Sequence, residues 1–353
     1  MSARPLFALL VAACLLAGIA GGLLRLGVGA PAADWIGHAA AAHGMLMLSG
    51  FFGSVIGIER AVAVKLRWAF AAPLASALAG LAMASGWAMP GAWLAALAAA
   101  VFVAVNVQVV LRQRAAHTWL LLAGALMWFA AALGHALGMP GQAALALGFA
   151  FLVVTIAAER LEMTRLMRRR PLAQRTLMLL VAALPLAGLL SGLAPGAGGV
   201  LYGAALTLLA LWLGTYDIAR RTVFAHGLPR YMAVCLLAGY AWLAAAGIAW
   251  AGASLGEPWR DLALHGLGLG FVFSMVMGHA PVILPAVARI KLAFGLWFYL
   301  PLAVLHASLL WRVGPGLGDA AQRALAGRWN AASLGLFALA MLVAVLAWRR
   351  KHG

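Results

Sequence analysis

Charge is what this sequence has least of. Of its 353 residues only 9% are Asp, Glu, Lys or Arg, against 66% hydrophobic. A water-soluble globule of that size needs far more polar surface, so soluble fold classes are excluded and the chain reads as an integral membrane protein. Acids are scarcest, with eight Asp+Glu against 25 Lys+Arg and a formal charge of +17. In a soluble protein that balance would suggest nucleic acid. Here the basic residues fall in short breaks between apolar runs, where they act as topology signals and lipid headgroup contacts, so no nucleic-acid partner is expected. Cysteine is almost missing too: Cys14 and Cys235 both lie inside apolar runs, which excludes a disulfide framework and any CxxC redox or metal motif. Redox chemistry would therefore have to ride on a cofactor. Long polar segments are also absent. Breaks such as Met89-Pro90-Gly91, Met139-Pro140-Gly141-Gln142 and Ala194-Pro195-Gly196 leave no room for a soluble catalytic domain, so any activity is housed among the helices.

What is present is a series of apolar runs, each near the roughly 20 residues that a helix needs to cross the hydrocarbon core. Twelve are expected, at 6-24, 35-58, 68-88, 92-111, 118-137, 142-159, 177-194, 199-219, 231-251, 260-288, 293-312 and 329-348, giving an all-α polytopic bundle within one membrane domain. With the amino terminus in the cytoplasm, 20 of the 25 Lys+Arg fall on the cytoplasmic side, including Arg4, Arg168-Arg169-Arg170, Arg289 and Arg349-Arg350-Lys351. Arg25, Arg260, Arg312, Arg323 and Arg328 are left outside. The asymmetry predicts an even count and both termini in the cytoplasm, in the inner (plasma) membrane of a bacterium. A cleaved signal peptide is the competing reading of the first run, with Val11-Ala12-Ala13-Cys14 faintly like a lipoprotein site. Removing that run would leave an odd count and spoil the charge pattern.

A faint internal repeat links Val55-Ile56-Gly57-Ile58-Glu59-Arg60 with Thr155-Ile156-Ala157-Ala158-Glu159-Arg160, and His43-Gly44 with His265-Gly266. These fall on the second, sixth and tenth runs, four apart, which suggests three four-helix units around a pseudo-threefold axis; chance likeness between alanine-rich helices is the alternative.

Ionisable side chains inside a bilayer are costly and are functional candidates by default. Of nine histidines, His117, His226 and His352 are expected at the surface, leaving His38, His43, His135, His265, His279 and His306. Counting from Trp35 and Trp259, His43 and His265 lie about 12 and 9 Å along helices that run in the same direction, so they share a depth. His135 and His306 also fall in the outer half. Two histidines at one level are what axial ligation of a haem iron requires, and the small residues around them, Ala39 to Ala42, Gly44, Gly266, Gly268 and Gly270, leave a slot that Phe51, Phe52, Phe271 and Phe273 would wall. The plainer explanation is that each imidazole glues helices and each glycine allows close packing. Arg25, Arg260 and Arg312 are placed to neutralise propionates or simply to snorkel. His279 lies about 21 Å beyond His265. Pro281 and Pro285 should kink or end the helix there, freeing carbonyls for an ion or water. Met47 and Met275, each one turn from a histidine, would suit copper or serve as apolar filler. Metal-ligand candidates are therefore His43, His265, His279, His306 and His135. Glu59-Arg60 and Glu159-Arg160 read as ion pairs or proton sites, and Asn106 and Gln108 as bonds across helices.

At His43-Gly44-Met45-Leu46-Met47 through Ile58, and at Leu264-His265-Gly266 through Met275-Val276-Met277-Gly278-His279-Ala280, the chain resembles the NnrS family. That family consists of twelve-helix membrane proteins that carry haem and copper and are tied to nitric-oxide stress. The His43-Gly44 start also resembles the second helix of haem-copper oxidase subunit I. Two departures stand out. The family's denser His-x-His-Glu-Met run is here His38, four alanines, His43 and Gly44, and the sixth and seventh runs hold no histidine for an oxidase-type copper site. The resemblance implies a haem of undefined type coordinated by His43 and His265 facing one another. It implies electron transfer with a quinone or cytochrome donor, or nitric-oxide tolerance, but not proton-pumping oxygen reduction. Copper is implied only through the family. The alternative is a twelve-helix secondary transporter for a small solute, against which stands the lack of a mid-membrane acid to couple protons.

Overall fold

The protein is described by a computed structural model covering residues 4–29, 33–163, 171–288 and 290–352. The expected arginines at 168–170 and 289, and the side chain of Arg4, lie outside the described residues. Among the described residues, twelve helices are long and apolar enough to cross a membrane. They are α1 (Pro5–Arg25), α2 (His43–Val64), α3 (Arg67–Ala84), α4 (Ala88–Arg112), α5 (Ala116–Ala136), α6 (Gly141–Met163), α7 (Pro171–Leu193), α8 (Pro195–Tyr216), α9 (Leu228–Ser254), α10 (Arg260–Ala288), α11 (Leu296–Val313) and α12 (Ala320–His352). The architecture is all-helical, as the apolar runs require, because a backbone in hydrocarbon must satisfy its own hydrogen bonds. The most enclosed span is α6, with 78% of its apolar window buried, whereas α1 and α12 at 22% present most of theirs outward.

The chain separates into two compact units, one of residues 1–159 and 188–193, the other of 160–187 and 194–353. In the first, α1 packs on α2, α3 on α4, and α4 on α5; in the second, α8 packs on α9, α9 on α10, and α11 on α12. Small residues make these approaches possible. A methyl group on Gly203 of α8 would run into the backbone of Gly247 and Ala251 on α9, so the two helices meet main chain to main chain there.

Two spans depart from α geometry at equivalent places. The π-helical segments Leu46–Gly53 in α2 and Gly266–Phe273 in α10 are each eight residues long. Such insertions are rare and concentrate at functional sites. Both carry Gly-Phe-x-x-Ser, and both serines bond back to the glycine carbonyl at 2.6 Å, Ser54 to Gly50 and Ser274 to Gly270. Glycine is needed because a tryptophan lies against each segment, Trp128 on Gly53 and Trp242 on Gly270. In this register His43 stands three residues before its segment and His265 one, so the two histidines are not aligned position for position.

Two local expectations need correction. The helix preceding His43, Asp34–Ala41, ends at Ala42, so the rise from Trp35 is not along one continuous helix. Of the kink or end expected at Pro281 and Pro285, the end does not occur: in α10 the helix runs through both prolines to Ala288. The prolines are four apart, so the bonds they remove lie on one face and the opposite face continues the ladder.

Candidate functional site

In the first unit, the imidazole of His43 is held by α1. Its Nδ1 lies 2.8 Å from the carbonyl of Gly18. A carbonyl only accepts, so Nδ1 carries the proton and Nε2 is the unprotonated nitrogen of the neutral ring. Gly22, one turn on, makes room for the ring: a methyl there would come within 2.8 Å of Cε1. Below it the Trp128 indole donates to Ser49 Oγ at 3.1 Å, while Ser76 donates to the Ser49 carbonyl at 2.5 Å, so the π segment is pinned by α3 and α5.

In the second unit, His265 sits in a charged network that the sequence did not foretell. Arg312 at the last turn of α11 binds Asp261 at the first turn of α10 through both nitrogens, Nε to Oδ2 at 2.7 Å and Nη2 to Oδ1 at 2.8 Å. His265 Nδ1 lies 3.0 Å from Asp261 Oδ1 and 3.1 Å from its carbonyl. Both are acceptors, so Nδ1 of His265 carries a proton, as in His43. Arg312 Nη2 is 3.4 Å from Nδ1 and 3.3 Å from Nε2. Being almost equidistant from both, Nη2 is not aimed along the lone pair of either nitrogen. Arg312 Nη1 donates to Asn330 Oδ1 at 3.3 Å, and Asn330 Nδ2 donates to Ser308 at 2.6 Å, extending the network to α12. The guanidinium considered for propionates is thus already committed to Asp261.

A second network closes the other end of α10. Arg160 donates to Asp217 through Nε at 2.6 Å and Nη2 at 3.0 Å, with side chains only 5% and 0% exposed. Asp217 also accepts from Tyr240 at 3.0 Å and from the Ala219 amide at 2.7 Å. Asp217 thus accepts four hydrogen bonds, two of them from a charged donor. His279 places Nδ1 on the Met275 carbonyl at 2.8 Å, and Arg160 Nη1 donates toward its Nε2 at 3.4 Å. Between the two networks, Trp242 donates its indole N–H to His306 Nδ1 at 2.9 Å. Indole never accepts, so the His306 proton is on Nε2, the reverse of His43 and His265.

The remaining histidines are dispersed. His135 is exposed on the last turn of α5, His38 is exposed beside Gly86, and His226 is exposed. His117, expected at the surface, is buried at 8% exposure, and His352 stacks on Trp348 at 4.6 Å. Arg60 pairs with Glu159 at 3.8 Å. Asn106 bonds within its own helix, to the Phe102 carbonyl at 2.9 Å, not across helices. Among the described residues no group of three or more His, Cys, Asp or Glu is arranged to hold a metal ion.

The unforeseen residues are Asp217, Tyr240, Asp261 and Asn330. Asp261 carried a signal, since it precedes His265 by four residues and so shares its helix face. Asp217 and Tyr240 carried none, because their meeting with Arg160 depends on how α6, α8 and α9 pack. A family model described as a domain of unknown function, DUF8744, matches residues 4–349, and the chain belongs to that family. No curated protein and no solved structure matches it.

Proposed function

We propose that this member of the DUF8744 family is a haem-binding integral membrane protein of NnrS-like character. It serves electron transfer or nitric-oxide stress tolerance, with His43 and His265 as haem-iron ligands. One observation carries the reading. Both rings, each just ahead of a π segment, have Nδ1 bonded to an oxygen acceptor, which turns Nε2 away as the nitrogen that would take a metal. That is the outer-shell arrangement which orients a metal-ligating histidine and raises its basicity. A haem would supply one-electron chemistry; the chain's part is to orient two imidazoles and keep water from them. His306 is less suited because its Nε2 carries the proton. A quinone or cytochrome would serve as donor, and copper would not be part of the core site. In this reading the protein lies in a bacterial inner membrane with both termini cytoplasmic, on the charge asymmetry of the loops.

A secondary transporter is the second reading, favoured by the π-interrupted spans, by the buried Arg160–Asp217 pair and by the part-buried Arg312–Asp261 pair. Visible spectra of the purified protein, oxidised and dithionite-reduced, separate the two. A Soret band with sharpened α and β bands on reduction supports the haem. No haem in protein expressed with haem supplied favours transport.

A further inference from the structure

In the first unit the ends of α2 and α4 meet on one face. Arg112, the last residue of α4, donates through Nη1 to the carbonyl of Val64, the last residue of α2, at 2.7 Å. Beneath that bond Val105 and Val109 of α4 pack with Ala61 and Val64 of α2 and with Ala69 and Phe70 of α3. The two connections beside it are short. Only Lys65 and Leu66 separate α2 from α3, with Lys65 in the left-handed region at φ 58°. Gln113, Arg114 and Ala115 separate α4 from α5, and Thr118 clips that turn by donating to the Gln113 carbonyl at 2.7 Å and accepting from the Ala115 amide at 3.1 Å. Turns this short hold Lys65, Arg67, Arg112 and Arg114, all exposed, at the level where the spans end.

The charge on this face is unbalanced. Among the described residues it carries five cations, those four and Arg60, against the two carboxylates Glu59 and Glu159. Glu159 pairs with Arg60 at 3.8 Å, and none of the other four cations is paired with a described carboxylate. Even if each carboxylate neutralises one cation, three positive charges remain, so the partner is an anion. Its apolar part follows from the flanks, where Trp68, Leu111 and Trp119 are exposed next to the cations. Tryptophans at the ends of spans sit at the headgroup level of a bilayer, and basic clusters at that level recognise anionic lipids. A soluble anion would use only the charges, whereas a lipid uses the charges and the apolar flank together. The Val64 carbonyl takes one of the five Arg112 donors and fixes the guanidinium, leaving the others for a phosphate. We propose that the Lys65–Arg67 and Arg112–Arg114 turns together bind the headgroup of a phospholipid with two phosphates, of the cardiolipin class, one phosphate to each turn. The surface uses none of the haem-ligand candidates and rests neither on the haem reading nor on which side of the membrane it faces.

The test is the thermal midpoint of the purified full-length protein in detergent, titrated with cardiolipin, with phosphatidylglycerol at equal phosphate, with phosphatidylcholine, or with inorganic phosphate. The expected result is a saturable rise with cardiolipin that the other three do not match, because a ligand bound only by the folded state stabilises it. Each surface cation removed should weaken the apparent affinity about fivefold, so Arg67→Gln combined with Arg114→Gln should lose about twentyfold or more. Arg67→Lys combined with Arg114→Lys should keep most of it. Arg349→Gln combined with Arg350→Gln takes the same charge from the end of α12 in the other unit and should leave the cardiolipin response unchanged. An equal response to phosphatidylglycerol or phosphatidylcholine would reduce the surface to a general lipid contact, and an equal response to inorganic phosphate would assign it to a soluble anion; each overturns the proposal. So would parent-like affinity in the Arg67 and Arg114 glutamine pair, or an equal loss in the α12 pair. Should the glutamine pair fail to give monodisperse protein, the comparison of lipids on the parent decides.

Discussion

Arg160 and Asp217 offer the largest energetic stake in the second unit. Replacing Asp217 with Leu removes an acceptor of four hydrogen bonds and leaves a guanidinium whose side chain is only 5% exposed. For an exposed pair the loss would be about 1 kcal/mol or less. For a buried pair, stranding one charge costs about 3–5 kcal/mol. Burial decides for the larger figure. Arg160→Met should cost a similar amount, since Asp217 keeps Tyr240 and the Ala219 amide but loses its counter-charge. The double variant should recover most of the loss, because an apolar pair of similar volume needs no desolvation. The assay is a double-mutant cycle on unfolding in detergent, with monodispersity as the check on folding. A coupling energy of about 2–3 kcal/mol is expected, at the upper end for residues in direct contact. Additive effects, or single variants within about 1 kcal/mol of the parent, would refute the argument that this pair is a closed, desolvated clamp.

The α8–α9 contact predicts that Gly203→Ala, which meets the Gly247 and Ala251 backbone, lowers stability by about 1–3 kcal/mol. Gly214→Ala, with nothing within 4 Å, should be neutral or slightly stabilising, and equal thermal midpoints for the two would contradict the packing. Asp261→Asn should release His265 and strand Arg312. The expected outcome is a drop in thermal midpoint together with a changed visible spectrum in haem-loaded protein; a drop with an unchanged spectrum would assign Asp261 to structure alone. Reporter fusions after Lys351 and in the 164–170 loop should both report cytoplasm, and a periplasmic signal from either would overturn the orientation.

The twelve spans were legible because length and hydropathy alone decide whether a helix crosses a membrane, and most of their limits agree with the helices to within two turns, the starts of α2 and α12 differing by more. His43 and His265 were legible as isolated ionisable residues in apolar runs. Their partners were not. Gly18 binds His43 through a backbone carbonyl, which no side-chain pattern marks, and Arg312 reaches Asp261 from 51 residues away. The π segments are not legible in the sequence, since Gly-Phe-x-x-Ser reads equally well as an α-helix, and the glycines in them read there as a slot or as close packing. The helix does not end at Pro281 or Pro285, as local backbone preference alone would allow, because packing keeps α10 helical through both.

The central claim is that His43 and His265 supply haem-iron ligands. Its most direct measurement is the haem content and visible spectrum of His43→Ala and His265→Ala beside the parent and His279→Ala. The account predicts that each of the first two loses haem or shifts from a six-coordinate low-spin spectrum toward five-coordinate high-spin, whereas His279→Ala keeps the parent spectrum. Parent-like haem content and spectra in both His43→Ala and His265→Ala would contradict it.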